Sequence, residues 1–174
     1  MNADVLVACI GNIFLGDDGF GFHVAQALAA REMPRGVEVQ DFGIRNIDLA
    51  YALLQPWKAV ILVDAVRRGG TPGTLYLLQP NETAEGPGVL AMDVHSIEPA
   101  NVLRMARSLG EVSADIYIVG CEPANLDADD GGDMGLSIEV AAAIPEAAKM
   151  IQELTMRLIN VAVDCTASTQ GGLA

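Results

Sequence analysis

The chain has 174 residues, of which 51% are hydrophobic and 19% are charged, and its formal net charge is −13. This length suits one domain, and the apolar content excludes a disordered chain. The acidic charge repels phosphate groups and anionic lipids, so we expect neither nucleic acid nor a membrane surface as a partner. Met1–Ile10 lacks the basic start of a secretory signal, and no apolar stretch approaches the about 20 residues of a membrane span. We therefore expect a cytoplasmic protein.

Apolar and alternating segments predict β-strands, and segments with helical periodicity lie between them. The predicted strands are Val5–Cys9, Val37–Phe42, Ala59–Val63, Thr74–Leu78 and Asp115–Cys121. The predicted helices are Phe20–Ala30, Asn46–Leu54 with Asn46 as its cap, Ser96–Leu109, and Ser137–Ile159 with Pro145 as a candidate break.

Strands that alternate with helices indicate an α/β fold with a mostly parallel sheet. Only Arg67–Gly73 separates the third strand from the fourth, which is shorter than the about 12 residues of a parallel crossover. The fourth strand is therefore predicted to run antiparallel to the third. We predict a three-layer α/β sandwich, with helices on both faces of a twisted, mixed five-stranded sheet. Residues 1–163 are expected to form this one domain, and residues 164–174 a flexible tail.

Acidic residues follow the predicted strands at the carboxyl edge of the sheet, where open α/β sheets bind ligands. They are Asp17, Asp18, Asp41, Asp64 and Glu122. The spacing of Gly11 and Gly16 is that of a phosphate-binding loop, but Asp17 and Asp18 stand where that loop needs Lys and Ser or Thr. A nucleotide site is therefore disfavoured.

Each acidic or histidine position also has a structural interpretation. Asp17 and Asp18 can cap the first helix, and Asp64 can form a turn. His23 lies within the first helix, where packing or exposure explains it. His95 precedes the third helix and can be an ordinary loop residue. Two carboxylates and a histidine that converge on one sheet edge would nevertheless suit a divalent transition metal.

The three cysteines, Cys9, Cys121 and Cys165, form no CxxC pair, so we expect reduced thiols. Cys9 and Cys121 could act as nucleophiles with His95 as base, but their apolar neighbours favour packing roles. The acidic segment Asp127–Asp133 does not match a calcium-binding EF-hand loop, and we expect a solvated, flexible loop there.

The opening segment Val5–Gly21, with the letters VLVACIGNIFLGDDGFG, resembles the start of the hydrogenase maturation endopeptidases. That family begins with a strand, then Gly-Asn, an apolar pair and a paired-acid motif. The similarity covers roughly residues 4–160. It continues in order through Val63-Asp64-Ala65, Pro72-Gly73-Thr74, His95, Gly120, Pro123 and Gly135-Leu136-Ser137.

The resemblance implies a twisted five-stranded α/β fold and a specific peptidase activity. The family removes a C-terminal extension from the large-subunit precursor of nickel-iron hydrogenases after nickel has been inserted. Its metal-contacting residues correspond to Asp18, Asp64 and His95, which would be both the metal ligands and the catalytic residues. The nickel is carried by the precursor, so the isolated enzyme can lack it. Relatives tend to have Asp-Gly-Gly after the second strand, where this chain has Asp41-Phe42-Gly43.

Two mechanisms remain open for such a site. The nickel could polarise the scissile carbonyl and activate water, or it could serve only for recognition while Asp18 or Asp64 acts as general base. A non-catalytic chaperone that binds metal or precursor is the alternative function, and a small nucleotide-binding domain is a third. We expect a monomer in which Asp18, Asp64 and His95 converge. Gly11, Gly19 and Gly21 are expected to shape the first loop and helix.

Overall fold

The described residues, 4–80, 98–126 and 135–168 of a computed structural model, form five β-strands and four α-helices. A short 3₁₀ turn, Gly16–Gly19, precedes the first α-helix. The strands are β1 (Val5–Ile10), β2 (Val37–Gly43), β3 (Ala59–Ala65), β4 (Leu75–Leu78) and β5 (Asp115–Cys121). The helices are α1 (Phe20–Ala29), α2 (Asn46–Ala52), α3 (Glu98–Leu109) and α4 (Ile138–Ser168).

The strands form one mixed sheet in the order β2-β1-β3-β5-β4. The pairs β1–β2, β1–β3 and β3–β5 are parallel, and β4–β5 is antiparallel. The predicted mixed five-stranded α/β sandwich is therefore confirmed. β1 and β3 lie at the centre of the parallel part, so their carboxyl ends lie side by side.

Strand β4 runs opposite to β3, as predicted, but it pairs with β5 instead of β3. The Val66–Thr74 connection crosses the place of one intervening strand, a span of about 10 Å at the usual strand spacing. The short connection correctly predicted the direction of β4 but did not reveal its neighbour. Strand β5 lies between β3 and β4 in the sheet, but its residues follow β4 in the sequence, so the length of the connection could not indicate it.

Two hydrophobic cores lie on opposite faces of the sheet, because successive side chains of a strand point to opposite faces. On β1, Val5, Val7 and Cys9 pack in the core with α1 and α4. The alternate residues Leu6, Ala8 and Ile10 pack in the core with α2 and α3. This arrangement explains why β1 and β3 are continuous apolar runs, since both faces of each strand are buried.

Helix α1 begins directly on the carboxyl ends of the two central strands. A Cβ atom at Gly21 would lie 2.1 Å from the carbonyl oxygen of Ile10 and 2.9 Å from that of Val63. Gly21 is therefore structural, as expected. At Gly19 a Cβ atom would lie 3.4 Å from the Cα atom of Ile13, so that position is tight but less restrictive.

Three boundaries differ from the sequence-based expectation. Helix α4 continues without a break through Pro145 to Ser168, so the predicted domain end at residue 163 falls inside it and residues 164–168 are helical. Residues 169–174 lie outside the described ranges. Asn46 is the first residue of α2 and not its cap; Arg45 takes that position without a side-chain hydrogen bond.

No helix in the described ranges is both long and apolar enough to cross a bilayer.

Candidate active site

Gly11 lies at the end of β1, between two of the aspartates that the sequence singled out. Its φ is +128°, a conformation that L side chains rarely adopt. A Cβ atom here would lie 1.8 Å from the carbonyl oxygen of Asp18 and 3.7 Å from Oδ1 of Asp64. Glycine is therefore required for the first loop to fold back on β1. That fold brings the Asp18 backbone and the Asp64 carboxylate to the same point of the carboxyl edge.

Asp64 is the penultimate residue of β3, and its side chain is buried. Its Oδ1 accepts a hydrogen bond of 2.8 Å from the backbone N–H of Ala65. The carboxylate is thus held in one orientation beside Gly11, where the carboxyl ends of β1 and β3 meet.

Asp18 is only partly buried, and its carboxylate braces the first loop. Its Oδ2 accepts a 2.8 Å hydrogen bond from the backbone N–H of Asn12. Burial raises the pKa of Asp18, and the Asn12 N–H opposes that rise in pKa. In the described parts of the chain, the Asn12 N–H is the hydrogen-bond donor to this side chain, so Asp18 keeps capacity to bind a ligand.

Asp17 is fully buried, unlike the partly exposed Asp18, and its carboxylate has more hydrogen-bond donors. Its Oδ2 accepts hydrogen bonds from the backbone N–H groups of Ala124 at 2.8 Å and Asn125 at 3.0 Å. Its Oδ1 accepts one from Ser137 at 2.7 Å. One carboxylate therefore joins the first loop to the segment after β5 and to the start of α4. The structural interpretation of Asp17 as a cap of the first helix is not supported, since its carboxylate makes these three bonds and no side-chain cap bond is present at the 3₁₀ turn or at α1.

Glu122 follows β5 and is a third buried carboxylate, after Asp64 and Asp17, with its own hydrogen-bond donors. It accepts bonds from the Arg68 N–H at 2.8 Å, the Gly69 N–H at 3.1 Å and the Tyr76 hydroxyl at 2.8 Å. Desolvation of Glu122 raises its pKa, but these hydrogen bonds together lower its pKa below the usual value. Glu122 thereby holds the β3–β4 connection, which begins at Val66, two residues after Asp64.

Cys9 and Cys121 are buried free thiols. Burial raises the pKa of Cys9, and the charges of Asp41 and Asp64 raise that pKa further. Burial likewise raises the pKa of Cys121 to about 12, with added contributions from Asp17 and Glu122. A thiolate nucleophile is therefore unfavourable at either position, which agrees with the packing role predicted for both.

Phe42 does not enter the site, although it stands where relatives tend to have glycine. Its side chain is buried in the core beneath α2 and α3. The turn that follows is closed by a 3.0 Å hydrogen bond from the Gly43 N–H to Oδ1 of Asp41. Ile44, which follows this turn, is exposed.

His95 lies outside the described residues, as does the acidic segment 127–133. Within the described ranges, no three His, Cys, Asp or Glu side chains are close enough to hold a metal ion. The convergence of His95 with Asp18 and Asp64 therefore stays a prediction. The two carboxylates could supply oxygen ligands to a divalent metal that also receives a ligand from elsewhere.

The mixed five-stranded sheet, with carboxylates at the meeting point of its two central strands, defines an α/β protein with an acidic site at the carboxyl edge. A family model described as "HycI: Hydrogenase maturation protease" matches residues 22–154. The chain therefore belongs to the hydrogenase maturation protease family.

Individual relatives and solved structures agree with this assignment. The delta subunit of coenzyme F420 hydrogenase from Methanothermobacter thermautotrophicus is 34% identical over 86% of this chain and 93% of its own length. The hydrogenase expression/formation protein HupD of Rhodobacter capsulatus is 30% identical over 85% of this chain and 71% of its own.

The structure of the hydrogenase maturating endopeptidase HybD from E. coli superposes with a TM-score of 0.69, at 26% identity, over 90% of this chain and 93% of that one. A hydrogenase 2 maturation peptidase from a Thaumarchaeota archaeon gives a TM-score of 0.62 at 30% identity, over 86% of this chain and 96% of that one.

Proposed function

We propose that this protease removes the C-terminal extension of a nickel-iron hydrogenase large-subunit precursor after nickel insertion. The observation that carries the proposal is that both acids lie at Gly11-Asn12, on the edge of the sheet where α/β proteins bind ligands: the Asp64 carboxylate and the Asp18 backbone carbonyl lie against Gly11, and the Asp18 carboxylate accepts a hydrogen bond from the Asn12 N–H. Family membership supplies the reaction class. The nickel belongs to the substrate, and Asp18, Asp64 and His95 would contact it when the precursor binds.

The two carboxylates suit different parts of this reaction. Asp64 is buried and fixed by the Ala65 N–H, so it suits a positioned ligand for the precursor's nickel. Asp18 is more exposed, and burial raises its pKa, which makes its carboxylate a stronger proton acceptor than an ordinary aspartate. We infer that Asp18 is the better candidate for the general base. It would take a proton from the attacking water and return it to the leaving amine.

We further propose that the protein acts as a cytoplasmic monomer. Its formal charge of −13 opposes binding to anionic lipid surfaces and to nucleic acid. A single folded chain supplies both carboxylates of the site. Size-exclusion chromatography with light scattering would measure the mass of the free protein, and a stable dimer would contradict the monomer.

Incubation with nickel-loaded precursor tests the proposed activity, with the released peptide identified by mass spectrometry. We expect the wild-type chain to shorten the precursor and Asp64→Ala to leave it intact. Asp115→Ala is the matched control, because Asp115 is exposed at the start of β5, on the opposite edge of the sheet. Stable binding of the precursor without cleavage would instead identify a non-catalytic chaperone.

A further inference from the structure

Large apolar side chains are exposed around the candidate site. Phe14 is 67% exposed and Ile13 41% exposed in the first loop, and Ile44 is 66% and Ile47 62% exposed just after β2. Ile138, at the start of α4, is 86% exposed. We call these five residues the apolar rim. Single exposed apolar residues are common on protein surfaces, but neighbouring ones mark interaction sites.

Hydrogen bonds connect the three segments that carry the apolar rim. The Gly11 N–H donates to the Gly43 carbonyl at 3.1 Å, which joins the first loop to the turn after β2. Asp17 binds the Ser137 N–H, which joins the first loop to the residue before Ile138. The apolar rim is therefore part of the carboxyl edge of the sheet, and its first-loop residues Ile13 and Phe14 lie close to Asp18 in the sequence.

The first loop holds Phe14 in an ordered turn. The Phe14 N–H donates to Oδ1 of Asn12 at 3.0 Å, and the Leu15 N–H donates to the Asn12 carbonyl at 3.1 Å. The Asn12 N–H in turn donates to the carboxylate of Asp18. The turn that presents Phe14 to solvent is thus fastened to a proposed site residue.

The turn that presents Ile44 is braced in the same way. The Arg45 N–H donates to the Phe42 carbonyl at 2.9 Å, and the Arg45 Nε donates to the same carbonyl at 3.1 Å. The Arg45 guanidinium also lies 6.0 Å from the centre of the buried Phe42 ring. Ile44 is therefore held outward by a stiff turn. A backbone turn that is already ordered loses little further entropy when a partner covers it.

The shape and chemistry of the apolar rim favour a protein partner. Small molecules bind mostly in concave sites that bury most of their surface, whereas Phe14 and Ile44 project from loops. Projecting aromatic and aliphatic anchors are typical of protein interfaces. The acidic net charge disfavours anionic membranes and nucleic acid.

From these observations we propose that the apolar rim is the surface on which the protein substrate docks, so that the region around its metal site packs against Phe14 and Ile44. This proposal rests on the proposed function. Asn12, whose N–H binds Asp18, lies in the same turn as Phe14. A substrate protein that brings its metal to Asp18 must therefore cover this turn. The surface therefore provides affinity, and the carboxylates provide the chemistry.

The double variant Phe14→Ser/Ile44→Ser tests this separation. We expect its KM for the nickel-loaded precursor to rise at least about tenfold while kcat stays within about twofold, because the variant loses binding that is the same in the ground and transition states. Leu109→Ser is the matched control, since Leu109 is 49% exposed at the end of α3, away from the carboxyl edge. We expect Leu109→Ser to have the wild-type KM. Circular dichroism and a melting curve check that each variant is folded.

An unchanged KM in the double variant would overturn the proposal. The proposal would also be overturned if the double variant kept its KM and Phe14 and Ile44 proved to serve another partner. Such a result would be a wild-type chain that uses these two residues to dimerise or to bind phosphatidylglycerol vesicles. If the wild-type chain binds the precursor but does not cleave it, the proposed function fails, and the docking surface is then judged on Kd. A Kd at least about tenfold weaker for the double variant would still support the docking surface.

Discussion

Asp17 and Asp18 are adjacent in the sequence and identical in chemistry, yet their side chains occupy opposite environments. Asp17 is fully buried and accepts three backbone N–H groups, from Ala124, Asn125 and Ser137. Asp18 is partly exposed, and its described donor is the Asn12 N–H. The 3₁₀ turn at Gly16–Gly19 separates them, because consecutive side chains of such a turn point about 120° apart.

Within this one motif, Asp17 therefore stabilises the fold, whereas Asp18 is available to bind a ligand. A carboxylate whose oxygens are saturated by backbone donors stabilises the fold and has little capacity left for a ligand. Asp18 retains that capacity and lies beside Gly11 and Asp64. The paired-acid motif thus contains one residue that assembles the edge of the sheet and one, Asp18, to which the proposed function assigns the chemistry.

The largest effect is expected from the substrate-facing acid. Asp18→Ala should lower the processing rate at least about a hundredfold, the contribution typical of a general base. The melting temperature should fall only slightly, because Asp18 is partly exposed and its described carboxylate bond is the one from the Asn12 N–H. Single-turnover cleavage of nickel-loaded precursor measures the rate. Wild-type cleavage by this variant would remove Asp18 from the mechanism.

The buried acid should show the reverse behaviour. Asp17→Ala removes the shared acceptor of three backbone N–H groups, and each lost hydrogen bond costs about 1 kcal/mol. We expect the free energy of unfolding to fall by about 3 kcal/mol. Urea denaturation measures this change, with Asp115→Ala as the exposed control. A loss below about 0.5 kcal/mol, the size of an ordinary surface change, would show that Asp17 does not join the three segments.

A smaller stability effect of opposite sign is expected for Asp18→Asn. Burial raises the pKa of Asp18 in the folded chain above its ordinary value of 3.8, so the unfolded chain binds fewer protons between these two values. Ionised Asp18 therefore destabilises the fold above its folded pKa and has no such effect below its unfolded pKa.

We accordingly expect Asp18→Asn to raise the free energy of unfolding at pH 7, and the gain over wild type to shrink as the pH falls towards 3.5. Urea denaturation of both proteins across this range measures the gain. A gain that does not depend on pH would contradict a raised pKa for Asp18.

The smallest effect on activity is expected at the cysteines. Cys9→Ala and Cys121→Ala remove buried thiols, so each should lower stability by about 1 kcal/mol. The processing rate should stay within about twofold of wild type, because the pKa of each thiol is raised far above neutrality. A large loss of activity in either variant, with Asp18→Ala still active, would identify a thiol protease.

Local patterns predicted most of the fold because they report burial directly. The strand Asp115–Cys121 has the predicted bounds, and β1 and β3 are apolar because both faces are covered. The place of β4 and the donors to Asp17 could not be predicted in this way. The donors to Asp17 lie more than 100 residues away in the chain, and no local pattern contains such a pairing.

Within the site, residue spacing gave Asp17 and Asp18 the same interpretation as helix caps, and the family resemblance alone selected Asp18 together with Asp64 and His95. Glu122 was noticed as an acidic strand end, but its contacts with Arg68 and Tyr76 depend on how β4 returns beside β5. Such roles are set by tertiary packing.

The most direct test of the central claim is processing of nickel-loaded and nickel-free precursor by the same wild-type chain, followed by mass spectrometry. We predict release of the C-terminal extension from the loaded precursor only, because Asp18 and Asp64 act on a substrate that brings its own metal. Equal cleavage of both precursors, or cleavage of neither, would contradict the account.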